Sequence, residues 1–167
     1  MMIDLHPNID AELIPILEEV ADPEIPVLTV LDLGVIREAV IRNGKVMIKL
    51  TPTYSGCPAM DVIGDDLKAA FLKRGMEAEI SLVLAPAWST DWISEEGKRK
   101  MEAYGIAAPL EETADKEALL GNKPLVKCTN CGSTHTRLVS QFGSTACKAL
   151  FQCEDCMEPF DYFKCLK

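Results

Sequence analysis

Residues 35–58, VIREAVIRNGKVMIKLTPTYSGCP, contain the pattern that decides the fold of the first part of the chain. Alternating polarity over residues 35–42 and 45–51 predicts two β-strands. The Asn43-Gly44 pair between them favours a type I′ turn, in which both central residues have positive φ. The polar loop that follows ends at Cys57-Pro58, and proline is typical of the first position of a helix. The stretch therefore predicts a β-hairpin followed by a helix.

Further helices and one more strand flank this hairpin. Apolar side chains at helical spacing predict helices over residues 10–20, 58–74 and 94–104. Alternating polarity predicts a strand over residues 77–84. The order helix, hairpin, helix, strand, helix is typical of a small α+β layer fold.

Cys57 stands apart from the other six cysteines of the chain. Its position before Pro58 predicts the N-cap of the helix, where free N–H groups and the helix dipole favour a thiolate. The small polar neighbours Thr51, Thr53 and Ser55 favour a reachable sulfur. Cys57 is therefore a candidate nucleophile or ligand of a metal or cluster, and the alternative is a structural cysteine that fills space where the helix begins.

Two acidic residues, Asp22 and Glu24, lie in the connector Asp22-Pro23-Glu24-Ile25-Pro26, which cannot form a regular helix. They either approach the Cys57 loop and assist its chemistry, or form turns in a proline-rich connector. Spacing alone favours the turns.

The remaining cysteines all follow residue 127, and four of them form two Cys-x-x-Cys pairs. Cys128 and Cys131 are separated from Cys153 and Cys156 by 21 residues, a spacing typical of four-cysteine zinc ribbons. Residues 136–142 and 146–152 between the pairs predict the strands of a hairpin. The pattern predicts a metal site made by these four thiols at the tip of a small β-ribbon.

Zinc is the metal that the spacing favours. About 45 residues bury too little core to fold well unaided, and a structural zinc ion would supply folding free energy. An iron–sulfur cluster remains the alternative, although the ferredoxin spacings are absent. Disulfides are disfavoured because the chain shows no secretion signal. Cys147 and Cys165 exceed the four ligands needed, and they are spare thiols, alternate ligands or core residues.

Composition and charge limit the classes of function. The chain has 167 residues and a net charge of -9, which disfavours a nucleic-acid binder, and no apolar run is long enough to span a membrane. Charge and cysteine content predict an acidic domain over residues 1–110, a linker over residues 111–122 and a mildly basic zinc-ribbon domain over residues 123–167. We expect a cytoplasmic protein.

Four phrases of the sequence together resemble a known family. DPEIPVLTVLDLGVIREAV (22–40) and LTPTYSGCPAMDVIGDDL (50–67) resemble the iron–sulfur assembly domain of SufT-like proteins. LAPAWSTDWISEEGKRKMEAYGIAAP (84–109) and FGSTACKALFQCEDCMEPFDYFKC (142–165) resemble the PaaD (also PaaJ) family of the phenylacetyl-CoA epoxidase system. One departure is the end of the tail: the family often has a histidine after the last cysteine, whereas Leu166 follows Cys165 here.

The resemblance implies an accessory protein of aerobic phenylacetate degradation that helps to mature iron–sulfur or di-iron centres. Its implied partners are the oxygenase and reductase subunits of the epoxidase and iron–sulfur assembly proteins, with a homodimer as an open alternative. The positions that match the family's assembly motif are candidates for handling iron or a transient cluster: Asp22, Glu24, Thr51, Thr53 and Cys57.

No catalytic constellation accompanies these motifs, so the sequence predicts that the chain is not itself an enzyme. A di-iron carboxylate site needs Glu-x-x-His pairs, and neither His6 nor His135 has a glutamate three residues before it. The glycine-rich G-x-G-x-x-G fingerprint of flavin and nicotinamide sites is also absent. The alternatives to maturation are a zinc-ribbon scaffold that binds oxygenase components without handling metal, and a non-catalytic electron-transfer partner.

Overall fold

A computed structural model of the chain describes residues 8–54, 56–121 and 126–164. The chain divides into two compact units, residues 1–97 and residues 98–167. Both combine helices with a sheet, which confirms the predicted α+β class.

The first unit is built on a four-stranded sheet. Its strands are β1 (Asn8–Ile9), β2 (Ile36–Arg42), β3 (Lys45–Leu50) and β4 (Glu77–Leu82), and they lie in that order. β2 and β3 form the predicted antiparallel hairpin, whereas β1 pairs parallel with β2 and β4 pairs parallel with β3.

The hairpin turn has the predicted conformation. Asn43 has a φ of 52° and Gly44 a φ of 75°, as a type I′ turn requires. Apolar side chains of β3 at alternate positions, such as Val46 and Ile48, are buried on one face of the sheet. Local turn chemistry and the two-residue period therefore fix the register of this hairpin.

Helix α2 (Ala59–Leu72) connects β3 to the parallel strand β4. Its buried stripe repeats at helical spacing through Ile63, Leu67 and Phe71, which is the stripe that the sequence predicts. The helix ends before Gly75, whose φ of 73° is the left-handed conformation that terminates many helices.

Two predicted elements of this unit are shorter than expected. In place of a helix over 10–20, a 3₁₀ turn at Ala11–Leu13 leads into the four-residue helix α1 (Ile14–Leu17). The helix stops because the chain turns back on itself, and the Val20 carbonyl accepts a hydrogen bond from the Val30 N–H at 3.0 Å. β4 stops at Leu82, and Leu84 is 65% exposed.

Tight packing closes the end of the first unit. Trp88 is buried and its indole N–H donates to the Leu33 carbonyl at 2.9 Å. Gly34 has a φ of 68°, and a Cβ atom there would lie 2.3 Å from the Trp92 carbonyl oxygen. Only glycine fits at this position.

The second unit contains a four-stranded sheet of order β5–β8–β7–β6. The unit begins within helix α3 (Glu95–Tyr104) and continues with β5 (Ile106–Ala107), α4 (Glu112–Leu119), β6 (Thr136–Ser140), β7 (Lys148–Cys153) and β8 (Pro159–Phe163). β6 and β7 form the predicted antiparallel hairpin, and β8 adds a third antiparallel strand that the sequence did not predict.

The structure places the domain boundary and the linker differently from the sequence. The units divide after Gly97, and the expected linker over residues 111–122 carries α4. Ala118 of α4 packs in the core of the ribbon, and Asp115 accepts a hydrogen bond from the Tyr162 hydroxyl at 2.5 Å. Charge and polarity suggested a linker because only one face of so short a helix is apolar.

The aromatic residues of the tail form the expected small core with one exception. Phe151 stacks with Phe160 and contacts Tyr162 edge-on, and Phe163 is also buried. Phe142 lies outside this core and is 67% exposed, with the Lys164 ammonium 4.3 Å from its ring centroid.

Across the described ranges, none of the helices combines the length and apolar character that crossing a bilayer requires.

Candidate functional site

Cys57 lies at the start of α2, slightly outside the predicted N-cap position. The Met60 N–H bonds to the Cys57 carbonyl three residues back, so the first turn is 3₁₀-like and the regular helix begins only at Ala59. Pro58 takes the capping position with helical dihedral angles, φ -68° and ψ -20°. Cys57 therefore precedes the cap by one residue.

The Cys57 side chain is less accessible than the small polar loop suggested. It is 8% exposed. The Thr53 hydroxyl lies 4.0 Å from Cys57 Sγ and is positioned to donate to it. The structure thus brings two of the predicted residues together, around a sulfur that only a small group or a moving loop can reach.

Thr51 carries an unusual polar atom next to this pair. The side chain is 1% exposed, and its hydroxyl has no hydrogen-bond partner within the described part of the chain. An unpaired buried hydroxyl is costly, about 1–3 kcal/mol, so such groups are rare. The backbone N–H of Thr51 is satisfied by the Val35 carbonyl at 2.8 Å, so only the side chain is left over.

A cleft of about 230 Å³ opens beside these threonines. Residues 51–54 form one wall, and Leu84, Ala87 and Trp88 form the other. The cleft combines apolar surface with the Thr51 and Thr53 side chains, a composition typical of a binding site for a small group.

Asp22 and Glu24 are used differently. The Asp22 carboxylate accepts backbone N–H bonds from Glu24 at 2.7 Å and from Ile25 at 2.8 Å, which is the geometry of a turn former. Asp22 lines a cleft with the second half of α2, from Asp66 onward. At 1.5 Å per residue, Asp66 lies about 14 Å along the helix from Cys57. The structure supports the turn interpretation and does not bring Asp22 to the cysteine.

The second candidate site is the cluster of four cysteines in the ribbon. One ligand atom from each of Cys128, Cys131, Cys153 and Cys156 lies within 4.8 Å of all the others. The Sγ atoms of Cys128 and Cys156 are 3.6 Å apart, as are those of Cys131 and Cys153. The two Cys-x-x-Cys pairs therefore converge as the spacing predicts.

This geometry fits a single tetrahedral ion. With Zn–S bonds of about 2.3 Å, the sulfurs of a tetrahedral site are about 3.8 Å apart. A polynuclear cluster distributes its thiolates over different irons and holds them farther apart. The donor set and the distances thus match those of a structural zinc site.

Hydrogen bonds already orient the sulfurs. The Asn130 backbone N–H donates to Cys128 Sγ at 3.4 Å, and the Cys156 N–H donates to Cys153 Sγ at 3.5 Å. The Asn130 side-chain amide also reaches Cys156 Sγ at 3.6 Å. Such contacts hold metal ligands in place and favour their charged form.

The same contacts separate the pKa values of two thiols. Hydrogen bonds from the Glu158 backbone N–H and the Asn130 amide lower the pKa of the Cys156 thiol to about 6. The Ser133 backbone N–H favours the Cys131 thiolate, but the Cys153 thiol and desolvation outweigh it and raise the pKa of Cys131 to about 12. Metal binding must therefore displace at least the Cys131 proton at neutral pH.

The remaining candidates lie outside this cluster. Cys147 is buried, with its sulfur 3.1 Å from the Thr145 hydroxyl. Cys165 lies outside the described residues. His135 is exposed, and its Nδ1 atom is 3.4 Å from an Asp155 carboxylate oxygen, as expected for a surface residue.

Sequence analysis missed the supporting residues of both sites. Asn130 lies between the first two cysteines, and its position inside a Cys-x-x-Cys knuckle was a usable signal. Leu84 and Trp88, which wall the cleft near Cys57, are more than 25 residues away along the chain. No local pattern connects them to Thr51, because tertiary packing alone brings them there.

Comparison with known proteins assigns both parts of the chain to families. Residues 10–81 match the family model described as iron–sulfur cluster assembly protein. Residues 112–164 match the PaaD zinc beta ribbon domain. An Fe-S protein maturation auxiliary factor of Porphyromonas gingivalis is 37% identical over 52% of this chain and 85% of its own. A crystal structure of a domain of unknown function, DUF59, from Bacillus anthracis is 29% identical, with a TM-score of 0.49 over 54% of this chain and 88% of that chain.

One relative spans almost the whole length. A protein of Escherichia coli (strain K12), named as a subunit of 1,2-phenylacetyl-CoA epoxidase, is 42% identical over 93% of this chain and 92% of its own length. The similarity covers both units, as the resemblance noted in the sequence predicted. The chain belongs to the PaaD family, whose members join an iron–sulfur-assembly-type domain to a zinc β-ribbon.

Proposed function

We propose that the chain is a cytoplasmic accessory subunit of a phenylacetyl-CoA epoxidase system and that it assists the assembly of an iron–sulfur or di-iron centre in another subunit. Its partners are the oxygenase and reductase components of that system, together with iron–sulfur assembly proteins. The chain itself carries out no oxidation. Its role is to bind iron or a cluster briefly and to pass it on.

The observation that carries this proposal is the group formed by Cys57, Thr53 and Thr51. A thiol lies at a helix start with one hydroxyl 4.0 Å away and a second, buried hydroxyl nearby that has no partner among the described residues. A thiolate binds iron, and hydroxyl donors beside it stabilise charged sulfur ligands. An unpartnered donor supports a cargo that supplies the acceptor.

The relatives support the same role. The matched model over residues 10–81 is named for iron–sulfur cluster assembly, and the similar Porphyromonas gingivalis protein is named for Fe-S protein maturation. The relative that spans the chain is named as an epoxidase subunit. Together these names favour a maturation role within an epoxidase system.

The ribbon has a structural role in this proposal. Cys128, Cys131, Cys153 and Cys156 would hold a resident zinc ion, which would stabilise the small second unit. Metal analysis of anaerobically purified protein should give about one zinc per chain without sulfide. Iron with sulfide and a broad absorbance band at about 400 nm would contradict the zinc assignment.

Cys57→Ser tests the maturation role. Because serine is close in shape to cysteine, we expect an unchanged melting temperature. We expect the epoxidase produced together with this variant to contain less iron than the epoxidase produced with the unchanged chain. Full iron loading would overturn the role of Cys57.

Cys147→Ser is the matched control, since Cys147 is also a buried cysteine but lies outside both candidate sites. It should leave iron loading unchanged. If both variants lower iron loading equally, the effect is not specific to the Cys57 group.

A scaffold role is the alternative, and the burial of the Cys57 sulfur favours it. A scaffold would hold the oxygenase components together without touching metal. Under this alternative, Cys57→Ser loads iron normally, whereas loss of the whole chain prevents assembly of the complex. The same experiment therefore separates the two functions.

A further inference from the structure

We propose that the edge strand β4 pairs antiparallel with β4 of a second copy, so that two chains share one continuous sheet. β4 is the last strand of the first sheet, and its outer edge has no neighbouring strand among the described residues. This inference is independent of the proposed role in metal-centre assembly.

The backbone of β4 presents alternate residues to its open edge. The Val83 N–H bonds to the Leu50 carbonyl at 2.7 Å, so Val83 faces β3. In a parallel ladder the residues that face a neighbour alternate along the strand. The outward N–H and C=O groups therefore belong to Ala78, Ile80 and Leu82.

These outward-facing positions all have apolar side chains, and the end of the strand is exposed. Leu82 is 55% exposed and Leu84 is 65% exposed. Exposed apolar edge strands are sites of association unless charge or proline protects them. The two glutamates of β4, Glu77 and Glu79, point to the other face, where the Lys45 ammonium binds them at 3.1 and 3.2 Å.

Hydrogen bonding and charge select one register. When Ile80 of one copy lies opposite Ile80 of the other, Ala78 faces Leu82, and every outward-facing residue of the strand belongs to a hydrogen-bonded pair. Registers centred on Glu79 or Ser81 each leave one such residue without a pair inside the strand. The register centred on Glu79 also places two glutamates directly opposite each other, which is unfavourable.

The selected register avoids this repulsion. It places Glu79 opposite Ser81 of the second copy and Glu77 opposite Val83, so no like charges are directly opposed. The exposed Leu82 side chain packs on Ala78 of the second copy. The contact is isologous, because each copy contributes the same strand, and it closes as a twofold dimer.

Amide hydrogen exchange of the full chain, followed by NMR over a range of protein concentrations, tests the pairing. The N–H groups of Ala78, Ile80 and Leu82 should exchange fast in dilute protein and become protected as its concentration rises. The N–H groups of Glu79 and Ser81 face β3 and should stay protected throughout. Fast exchange of Ile80 and Leu82 at every concentration would overturn the proposal.

Charge variants at Ser81 give the second measurement. Ser81 is exposed and its hydroxyl makes only a 3.5 Å contact with the Ile48 carbonyl, so the fold should tolerate substitution. Ser81→Glu places a negative charge opposite Glu79 twice in the dimer and should raise the dimer Kd about 2- to 30-fold. Ser81→Lys should lower the Kd by a comparable factor.

Analytical ultracentrifugation of the unchanged chain and both variants measures these shifts. Opposite shifts for glutamate and lysine support the register. A chain that stays monomeric up to its solubility limit overturns the proposal. So does a dimer whose Kd responds to neither charge, since that dimer must use another surface.

Discussion

The unpartnered hydroxyl of Thr51 leads to a prediction that separates stability from function. Thr51→Val replaces the hydroxyl with a methyl group of nearly the same shape and leaves the backbone bond to Val35 in place. Removing a buried polar atom that has no partner should stabilise the fold by about 1 kcal/mol, the lower part of the range for such groups. In a unit of this size, that raises the melting temperature by about 4–8 °C.

Tryptophan fluorescence is a suitable probe for the measurement. The chain has 2 tryptophans, Trp88 and Trp92, and both lie in the first unit. A melt followed by their emission therefore reports on the unit that contains Thr51, whatever the second unit does. Iron in the epoxidase produced together with the variant supplies the functional measurement, and it should fall although the melting temperature rises.

Thr53→Val is the matched control. Its hydroxyl has a partner, Cys57 Sγ at 4.0 Å, so its loss should leave the melting temperature unchanged or lower it. A Thr51→Val melt several degrees below that of the unchanged chain would refute the argument that the hydroxyl is unpaired. A higher melt with normal iron loading would refute the idea that the cargo uses this hydroxyl.

Three further predictions concern the ribbon and the backbone. Chelation of the metal should unfold the second unit while the tryptophan emission of the first unit is unchanged, because structural zinc supplies about 10–16 kcal/mol in domains of this kind. Zinc affinity should rise about tenfold per pH unit near neutrality, because binding displaces the proton of Cys131, whose pKa is about 12. Below about pH 6 the dependence should steepen as Cys156 also binds a proton, and a zinc competition assay that finds no pH dependence would contradict this. Gly34→Ala should cost more than about 2 kcal/mol in denaturant unfolding, because a Cβ atom would lie 2.3 Å from the Trp92 carbonyl oxygen. Gly75→Ala has a similar positive φ in open space and should cost only about 1 kcal/mol; equal costs would show that the contact at Gly34 is unimportant.

Local patterns account for the parts of the fold that were predicted correctly. Asn43-Gly44 determines its turn from two residues, and the stripe through Ile63, Leu67 and Phe71 shows the helical period directly. The cysteine spacing predicts the convergence of Cys128 with Cys156 because a ribbon has few ways to bring two knuckles together. In each of these cases the information lies within a few residues or in a fixed spacing.

The parts that were missed depend on distant contacts. The short first helix ends because the Val20 carbonyl bonds to Val30, and no residue within the helix signals that stop. Asp22 was considered near Cys57 because both match one family motif, but its carboxylate is used by the following backbone N–H groups. The burial of the Cys57 sulfur and the cleft wall formed by Leu84 likewise arise only when separate segments pack together.

The bond between the Tyr162 hydroxyl and Asp115 shows how the ribbon could be exchanged between proteins. Tyr162 lies at the centre of the ribbon core and is 0% exposed, and its polar atom is satisfied by a helix that precedes the first cysteine knuckle. A fragment that begins at residue 123 keeps every metal ligand but loses this acceptor and the packing of Ala118. Any recombination event that moved the ribbon intact would therefore have to carry α4 with it, so the inherited module is larger than its cysteines suggest.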